Sequence, residues 1–272
     1  GAGTFTMTAP GTGTDIFVCK LDMNGNFIWA KTFGGTGNDE AYGLAVDNTG
    51  NIFVSGGFSS TVDFDNTAGV TNLVSLSALD GFVLKLDVNG DYVWVKHFAS
   101  TSFDNPIYGI KIHPLGGVCF TGIFIGTTDV DPGAGVFNLT PAGTGDIFVE
   151  RLDNSGNFLW ASKIGGVNSE QVRSIDVDGT GNVYTTGSFN GSADFDPGPS
   201  VFNLTAAVPG THDVFVSKLD ANGNFVWAQD IVRATSTPGI ASEPQSICVD
   251  ASGNVFAGGT FVGSNYDFDP GA

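Results

Sequence analysis

Eight aspartates of this chain come in four pairs, each on alternate residues ahead of a turn: Asp63 and Asp65, Asp129 and Asp131, Asp194 and Asp196, Asp267 and Asp269. Three pairs run on into Pro-Gly, as in Asp194-Phe-Asp196-Pro197-Gly198, and the first into Asn66. Two carboxylates so placed can converge on one hard cation, and calcium accepts carboxylate and backbone oxygens in flexible numbers. All eight are therefore candidate calcium ligands. The competing use is structural. An Asp side chain accepts hydrogen bonds from the amides of its own turn, with Pro and Gly shaping the bend. Two carboxylates are also short of the six or more oxygens that calcium prefers. No other cofactor is required by any motif.

A second acidic motif, as in Asp22-Met-Asn-Gly-Asn26 and Asp220-Ala-Asn-Gly-Asn224, begins like a calcium loop but lacks its downstream acidic ligand. Asn-Gly between two apolar strands is a hairpin signal. Lys20, Lys85, Arg151 and Lys218 recur at one place and supply four of only ten bases. Partly buried charges need partners, so each is expected to pair with a carboxylate. For catalysis, no residue is assigned. His97, His113 and His212 stand at unrelated positions, and no GxSxG, HExxH or phosphate-binding loop is present. Counting alone leaves a glycosidase carboxylate pair open. Acids outside the repeated motifs, including Asp39, Glu40, Asp104, Glu150, Glu170 and Glu243, are the ones to search.

The elements that position these residues repeat. Asp-x-Phe-Val-x-(Lys/Arg)-Leu-Asp, an Asn-Gly or Ser-Gly turn, and an aromatic-x-Trp strand recur four times, with Trp29, Trp94, Trp160 and Trp227 spaced 65, 66 and 67 residues apart. A second hairpin alternates with the first, as in Leu44–Asp47 followed by Asn51–Phe58. The spacing predicts four strands per unit, A to D. Strand C is apolar at consecutive positions, which suits a strand covered on both faces. Sheets of this kind stacked around an axis form a β-propeller. We therefore expect an all-β fold, a β-propeller of four-stranded antiparallel blades, with about 66 residues per repeat and four repeats. It is read as one domain, 1–272, with strands C and D of a first blade at 15–33. Full blades follow at about 42–98, 108–164 and 173–231, and strands A and B of a last blade at 245–261. One tryptophan per unit at a fixed phase is a packing pattern before it is a sugar-stacking surface. The two half units either close a four-bladed ring or belong to a window of a longer array, and the second is favoured because neither end reads as a cap.

Composition narrows the partners. The net charge is −18, with 28 acids against ten bases, so nucleic acid is a poor partner. Anionic membrane surfaces are disfavoured for the same reason. No run is long and apolar enough to insert into a membrane as a helix. Cys19, Cys119 and Cys248 fall at three different repeat positions, neither a disulfide framework nor a metal cluster.

The segments Asp213-Val-Phe-Val-Ser-Lys-Leu-Asp-Ala-Asn-Gly-Asn-Phe-Val-Trp-Ala228 and Ile175-Asp-Val-Asp-Gly-Thr-Gly-Asn-Val-Tyr-Thr-Thr-Gly187 resemble the bacterial seven-bladed-propeller (SBBP) repeat family. The Asp-Phe-Asp-Pro-Gly link resembles the variant found in secreted proteins of Bacteroidota. The resemblance implies an extracellular or cell-surface location, export through a type IX pathway, and no assigned activity. The unit of about 66 residues is longer than that family's blade. From this we expect an extracellular non-catalytic repeat module for adhesion, surface display or assembly. Its partners would be protein or glycan ligands, or further copies of the same chain, bound through blade loops. The alternatives are a propeller-type glycan hydrolase or lyase, and a structural subunit of a homo-oligomeric assembly. The long segment Arg233–Pro244 is a candidate partner loop.

Overall fold

The computed structural model describes residues 3–99, 105–234, 242–261 and 266–270. Every regular element among them is a β-strand. No helix among them is long and apolar enough to cross a membrane. The chain divides into two compact units, Gly1–Ile107 and Tyr108–Ala272.

In the first unit, β1 (Ile16–Leu21) and β2 (Phe27–Gly35) form one hairpin, and β3 (Glu40–Val46) and β4 (Ile52–Phe58) a second. A short link hairpin follows, β5 (Thr61–Asp63) and β6 (Asn72–Val74). Then come β7 (Asp80–Leu86) and β8 (Tyr92–Phe98). The order β3-β4-β7-β8 makes a four-stranded meander, while β5 and β6 extend β1-β2 instead. The apolar stretch after each acidic pair, expected as an extra edge strand, is thus one arm of a hairpin that joins the preceding sheet.

The second unit repeats the plan. Here β9 (Ile107–Ile112), β10 (Val118–Phe124), β11 (Thr128–Asp129), β12 (Asn138–Leu139), β13 (Asp146–Leu152) and β14 (Phe158–Gly166) come first. Next are β15 (Gln171–Val177), β16 (Val183–Phe189), β17 (Ser192–Asp194), β18 (Asn203–Thr205), β19 (Asp213–Leu219) and β20 (Phe225–Ala234). The last are β21 (Glu243–Val249), β22 (Val255–Thr260) and β23 (Tyr266–Asp267). The meanders are β9-β10-β13-β14 and β15-β16-β19-β20, and the link hairpin β17-β18 is bonded to the end of β14.

The strands form where β-branched and aromatic residues run between turn glycines. Strand C is buried at all seven positions of β7 and at six of seven in β13 and β19, as its unbroken apolar run predicts. Register is held by a size match. The glycine of strand B stands opposite the phenylalanine of strand C in Gly56↔Phe82, Gly122↔Phe148 and Gly187↔Phe215. A Cβ on Gly56 would come within 2.9 Å of the Phe82 ring, and one on Gly187 within 2.7 Å of Phe215. Only glycine leaves room for the ring there.

Sheets within each unit pack face to face. In the first, Ile16, Val18 and Phe33 of β1-β2 meet Ile52, Val54 and Leu84 of the next sheet. In the second, Ile147, Val149 and Ile164 meet Val172, Ile175 and Phe215. Each such side chain contributes about 1.5–3 kcal/mol when fully buried.

Candidate functional site

The paired aspartates of the links act on their own turns. Asp63 Oδ1 accepts from the amides of Asp65 at 3.0 Å and Thr71 at 2.8 Å. Asp129 does the same with Asp131 and Phe137, at 3.1 and 2.8 Å, and Asp194 with Asp196 and Phe202, at 3.0 and 2.8 Å. Asp267 accepts from Asp269 at 2.9 Å. The second acids bend the chain onward: Asp65 accepts from Thr67, Asp131 from Gly133 and Asp196 from Gly198, at 2.9, 2.7 and 2.8 Å. One oxygen of each of these acids is therefore engaged by main-chain donors, and two carboxylates per link leave too few oxygens for the six to eight that calcium takes. No group of three or more His, Cys, Asp or Glu able to hold a metal occurs among the described residues. The geometry fits turn capping and does not fit a calcium nest.

The hairpin turns use their aspartates in a second uniform way. In the turns opening at Asp22, Asp47, Asp87, Asp153, Asp178, Asp220 and Asp250, Oδ1 accepts from the amides two and four residues on. The glycine at the fourth place takes φ between 76° and 90° in all seven, which a side chain disfavours. Burial alone would raise the Asp178 carboxyl. Donors from Asn182 and Thr180 outweigh it and hold the group well below the usual range. Hydrogen bonding from Asn26 likewise lowers Asp22. His113 stands where the other turns have aspartate, and its Nδ1 accepts from the Leu115 amide at 3.2 Å. Burial, aided by the Arg151 charge, lowers its pKa.

A third set of acids lies buried at the sheet rims. The aspartates that open strand C, Asp80, Asp146 and Asp213, are fully buried. Each accepts from an amide just upstream, of Leu76, Ala142 and Ala207, at 2.8, 2.9 and 2.8 Å. Asp80 also takes His97 Nε2 at 2.8 Å and Ser77 Oγ at 2.6 Å. Those donors overcome its burial and lower its pKa, whereas burial raises Asp146, whose Lys163 ammonium stands at 3.5 Å.

Beside them sit Asp39 and Glu170, which the sequence motifs do not mark as repeated. The structure shows that they are equivalent. The Asp39 amide donates to the Thr14 carbonyl, Asn105 to Leu79 and Glu170 to Gly145, each acceptor one residue before a strand-C aspartate. Asp39 accepts from the Gly35 amide at 2.8 Å, and Glu170 from Gly166 at 2.9 Å. Burial, with the Asp146 charge nearby, pushes Glu170 up to about 8. The available signal was a polar residue 24 or 25 positions after each strand-C aspartate, and it is obscured because Asp, Asn and Glu share the role. Glu150 is wholly buried in β13, and burial raises its pKa well above normal. Glu40 is exposed and receives the Tyr42 hydroxyl. Asp104 and most of the Arg233–Pro244 loop lie outside the described residues.

The recurring cations depart from expectation. Lys20 donates to the Val88 carbonyl at 3.0 Å, Lys85 lies 5.1 Å from the Phe53 ring centre and Lys218 lies 5.0 Å from that of Tyr184. Arg151 reaches the Gly116 carbonyl at 3.5 Å. Ring faces and carbonyls, rather than a carboxylate of each blade, face these cations because each stands across the strand pair from its tryptophan, within an aromatic layer. The tryptophans are all half-buried. Trp29 lies over Gly90 and Trp160 over Gly223, each glycine in the strand-C to strand-D turn of the next sheet. The Trp160 Nε1 donates to Ala221 O at 3.1 Å.

That contact floors an open groove of about 580 Å³ in the second unit. Its walls include Asn138, Lys163, Asp196, Asn222 and Phe225. Lys163 is held over one wall by the Thr140 carbonyl at 3.1 Å. The link phenylalanines brace the walls: Phe137 stacks on Phe158 at 5.0 Å and Phe202 on Phe225 at 4.8 Å. An aromatic floor with amides, an ammonium and a carboxylate on its rim can receive a polar ligand with an apolar face.

Comparisons with known proteins agree on the repeat. Residues 28–64 match the family model described as SBBP, beta-propeller repeat. The chain is 26% identical, over 383 aligned positions, to an uncharacterized WD repeat-containing protein of Acanthamoeba polyphaga mimivirus, covering 96% of this chain and 27% of that one. It is 27% identical over 196 positions to the regulatory protein FlaEY of Caulobacter vibrioides, covering 69% and 20%. The chain thus spans 27% and 20% of the length of these two curated relatives. Among solved structures, a protein of unknown function from Bacteroides caccae aligns with 13% identity and a TM-score of 0.26, over 81% of this chain and 91% of that one. A β-propeller domain from Myceliophteria thermophila aligns with 9% identity and a TM-score of 0.30, over 85% and 83%. The repeated motifs, the antiparallel four-stranded sheets and the matched repeat make this an all-β, β-propeller repeat protein, and the match at residues 28–64 supports the SBBP repeat family.

Proposed function

We propose that the protein is an extracellular, non-catalytic repeat module that binds protein or glycan partners through the groove beside Trp160 and through its loops. One contrast carries this reading. The acids and tryptophans that recur are engaged in turns, rims and sheet contacts, while the groove offers mixed polar and aromatic walls to solvent. Asp39 and Glu170, candidates for a hydrolase pair, are 1% and 0% exposed, which gives a substrate no access to them. The net charge of −18 favours cationic or neutral partner surfaces. The secreted location is supported by the likeness of the Asp-Phe-Asp-Pro-Gly links to those of secreted repeat proteins.

The test is a binding screen of the purified chain against an immobilised glycan panel and against cell-surface protein fractions, followed by titration of each hit. Asn138→Ala with Asn222→Ala should weaken a true groove ligand at least tenfold without moving the melting temperature. Unchanged affinity in that variant, or release of product from any glycan, would refute the reading. Surface proteolysis of intact source cells tests the location, because a cytoplasmic chain would stay protected.

A further inference from the structure

We infer that copies of this chain join head to tail by completing a sheet, with β22 of one copy pairing antiparallel with β1 of the next. This interface is separate from the groove. In the complete meanders β4 and β16 are buried at every position. In β22, at the same place in the repeat, five of six residues are exposed, Phe256 at 56%. Likewise β7 is buried throughout, but β1 leaves Phe17 at 68% and Leu21 at 54%. Among the described residues β22 is hydrogen-bonded only to β21, and β1 only to β2.

The two edges match side chain by side chain. Three complete pairs place the first residue of strand B opposite the leucine of strand C: Ile52↔Leu86, Val118↔Leu152 and Val183↔Leu219. The same register sets Val255 opposite Leu21, Phe256 opposite Lys20 and Gly259 opposite Phe17. Gly56 and Gly187 each seat a strand-C phenylalanine, but a Cβ on Gly259 would meet only Glu243 and Pro244 of the neighbouring strand. Gly259 is therefore a vacant seat, and Phe17 an unseated ring of the matching kind. Lys20 opposite Phe256 repeats the Lys85–Phe53 and Lys218–Tyr184 contacts, whose ammonium-to-ring distances are 5.1 and 5.0 Å.

The occupant of the β22 edge is thus a strand of the pattern Asp-x-Phe-Val-x-Lys-Leu, and β1 of a second copy supplies it. A donor edge and an acceptor edge on different surfaces make a heterologous contact, which propagates. Mutual repulsion of copies carrying −18 each is screened at moderate salt.

Light scattering across a concentration series in 0.15 M salt tests the proposal. The chain should associate beyond the dimer. Phe17→Asp removes the donor and Phe256→Lys the acceptor, both at exposed positions, and each variant alone should be monomeric. An equimolar mixture should form a one-to-one complex, since one variant keeps each half. Far-UV circular dichroism should be identical for all three. A second readout uses native Cys19, which this register places opposite Ala257. In a Cys248→Ser background, Ala257→Cys should give disulfide-linked multimers with oxidised glutathione, and Phe17→Asp should abolish them. A wild-type chain that stays monomeric, variants that fail to complement, or a disulfide formed within one chain would overturn the inference.

Discussion

The main-chain amide of Gly166 donates to Oε2 of Glu170 at 2.9 Å, inside a rim that also buries Asp146. Burial and that neighbouring charge raise Glu170 from 4.5 to about 8, so it is protonated at neutral pH in the folded chain. Below about pH 4.5 both folded and unfolded states hold the proton, and the group leaves stability unchanged. Between 4.5 and about 8 the unfolded chain releases it and the folded chain does not, so stability falls as pH rises. Glu170→Gln should flatten this part of the profile of urea midpoint against pH. An unchanged slope in the variant would mean that Glu170 is ionised in place.

The turn aspartates have the opposite sign. Asp178 accepts from Thr180 and Asn182 and from the Tyr184 hydroxyl, and its pKa is lowered. Its contribution is present above the unfolded value of 3.8 and is lost as pH falls below it. Asp178→Ala should cost about 1–2 kcal/mol at pH 7, after allowance for solvent screening. The difference from wild type should shrink in acid. Equal melting temperatures at pH 7 would show that the turn forms without its acceptor.

Gly25 and Gly223 both take positive φ, at 79° and 82°, but only Gly223 touches a tryptophan. An added Cβ at Gly223 would lie 2.7 Å from Trp160, while at Gly25 it would meet nothing within 4 Å. Gly25→Ala should cost about 1–2 kcal/mol, the backbone term alone. Gly223→Ala should cost clearly more and should shift the emission of Trp160. Equal costs would remove the contact between that turn and the indole from the account.

Cys119 is buried in β10, and burial raises its thiol to about 12. Cys248 is exposed and unbridged. A colourless disulfide reagent that releases a chromophore should therefore label Cys248 in the native chain, and Cys119 only as the protein unfolds. Labelling of Cys119 at the rate of Cys248 would contradict the packing of β10 against β13.

The sheets were legible because strand alternation, turn glycines and one tryptophan per unit all carry the same period. The link hairpins were half legible. Val201 to Thr205 reads as a strand, but its bonding partner β17, and the transfer of both arms to the end of β14, depend on contacts far apart in sequence. The recurring cations misled because charge alone suggests a carboxylate partner. The cross-strand tryptophan that directs Lys85 to Phe53 becomes visible only with the register. Asp39 and Glu170 escaped notice because their shared place is defined by a main-chain bond, for which residue identity is a poor guide. The groove was not foreseen, since its walls come from four separated segments.

Comparing the melting temperature in excess chelator with that in millimolar calcium tests most directly whether the recurring acids serve the backbone alone. Asp63, Asp129 and Asp194 each direct one oxygen to two amides, so the two temperatures should coincide. A rise of several degrees with calcium, abolished by Asp194→Asn, would show that these turns are built around a metal ion.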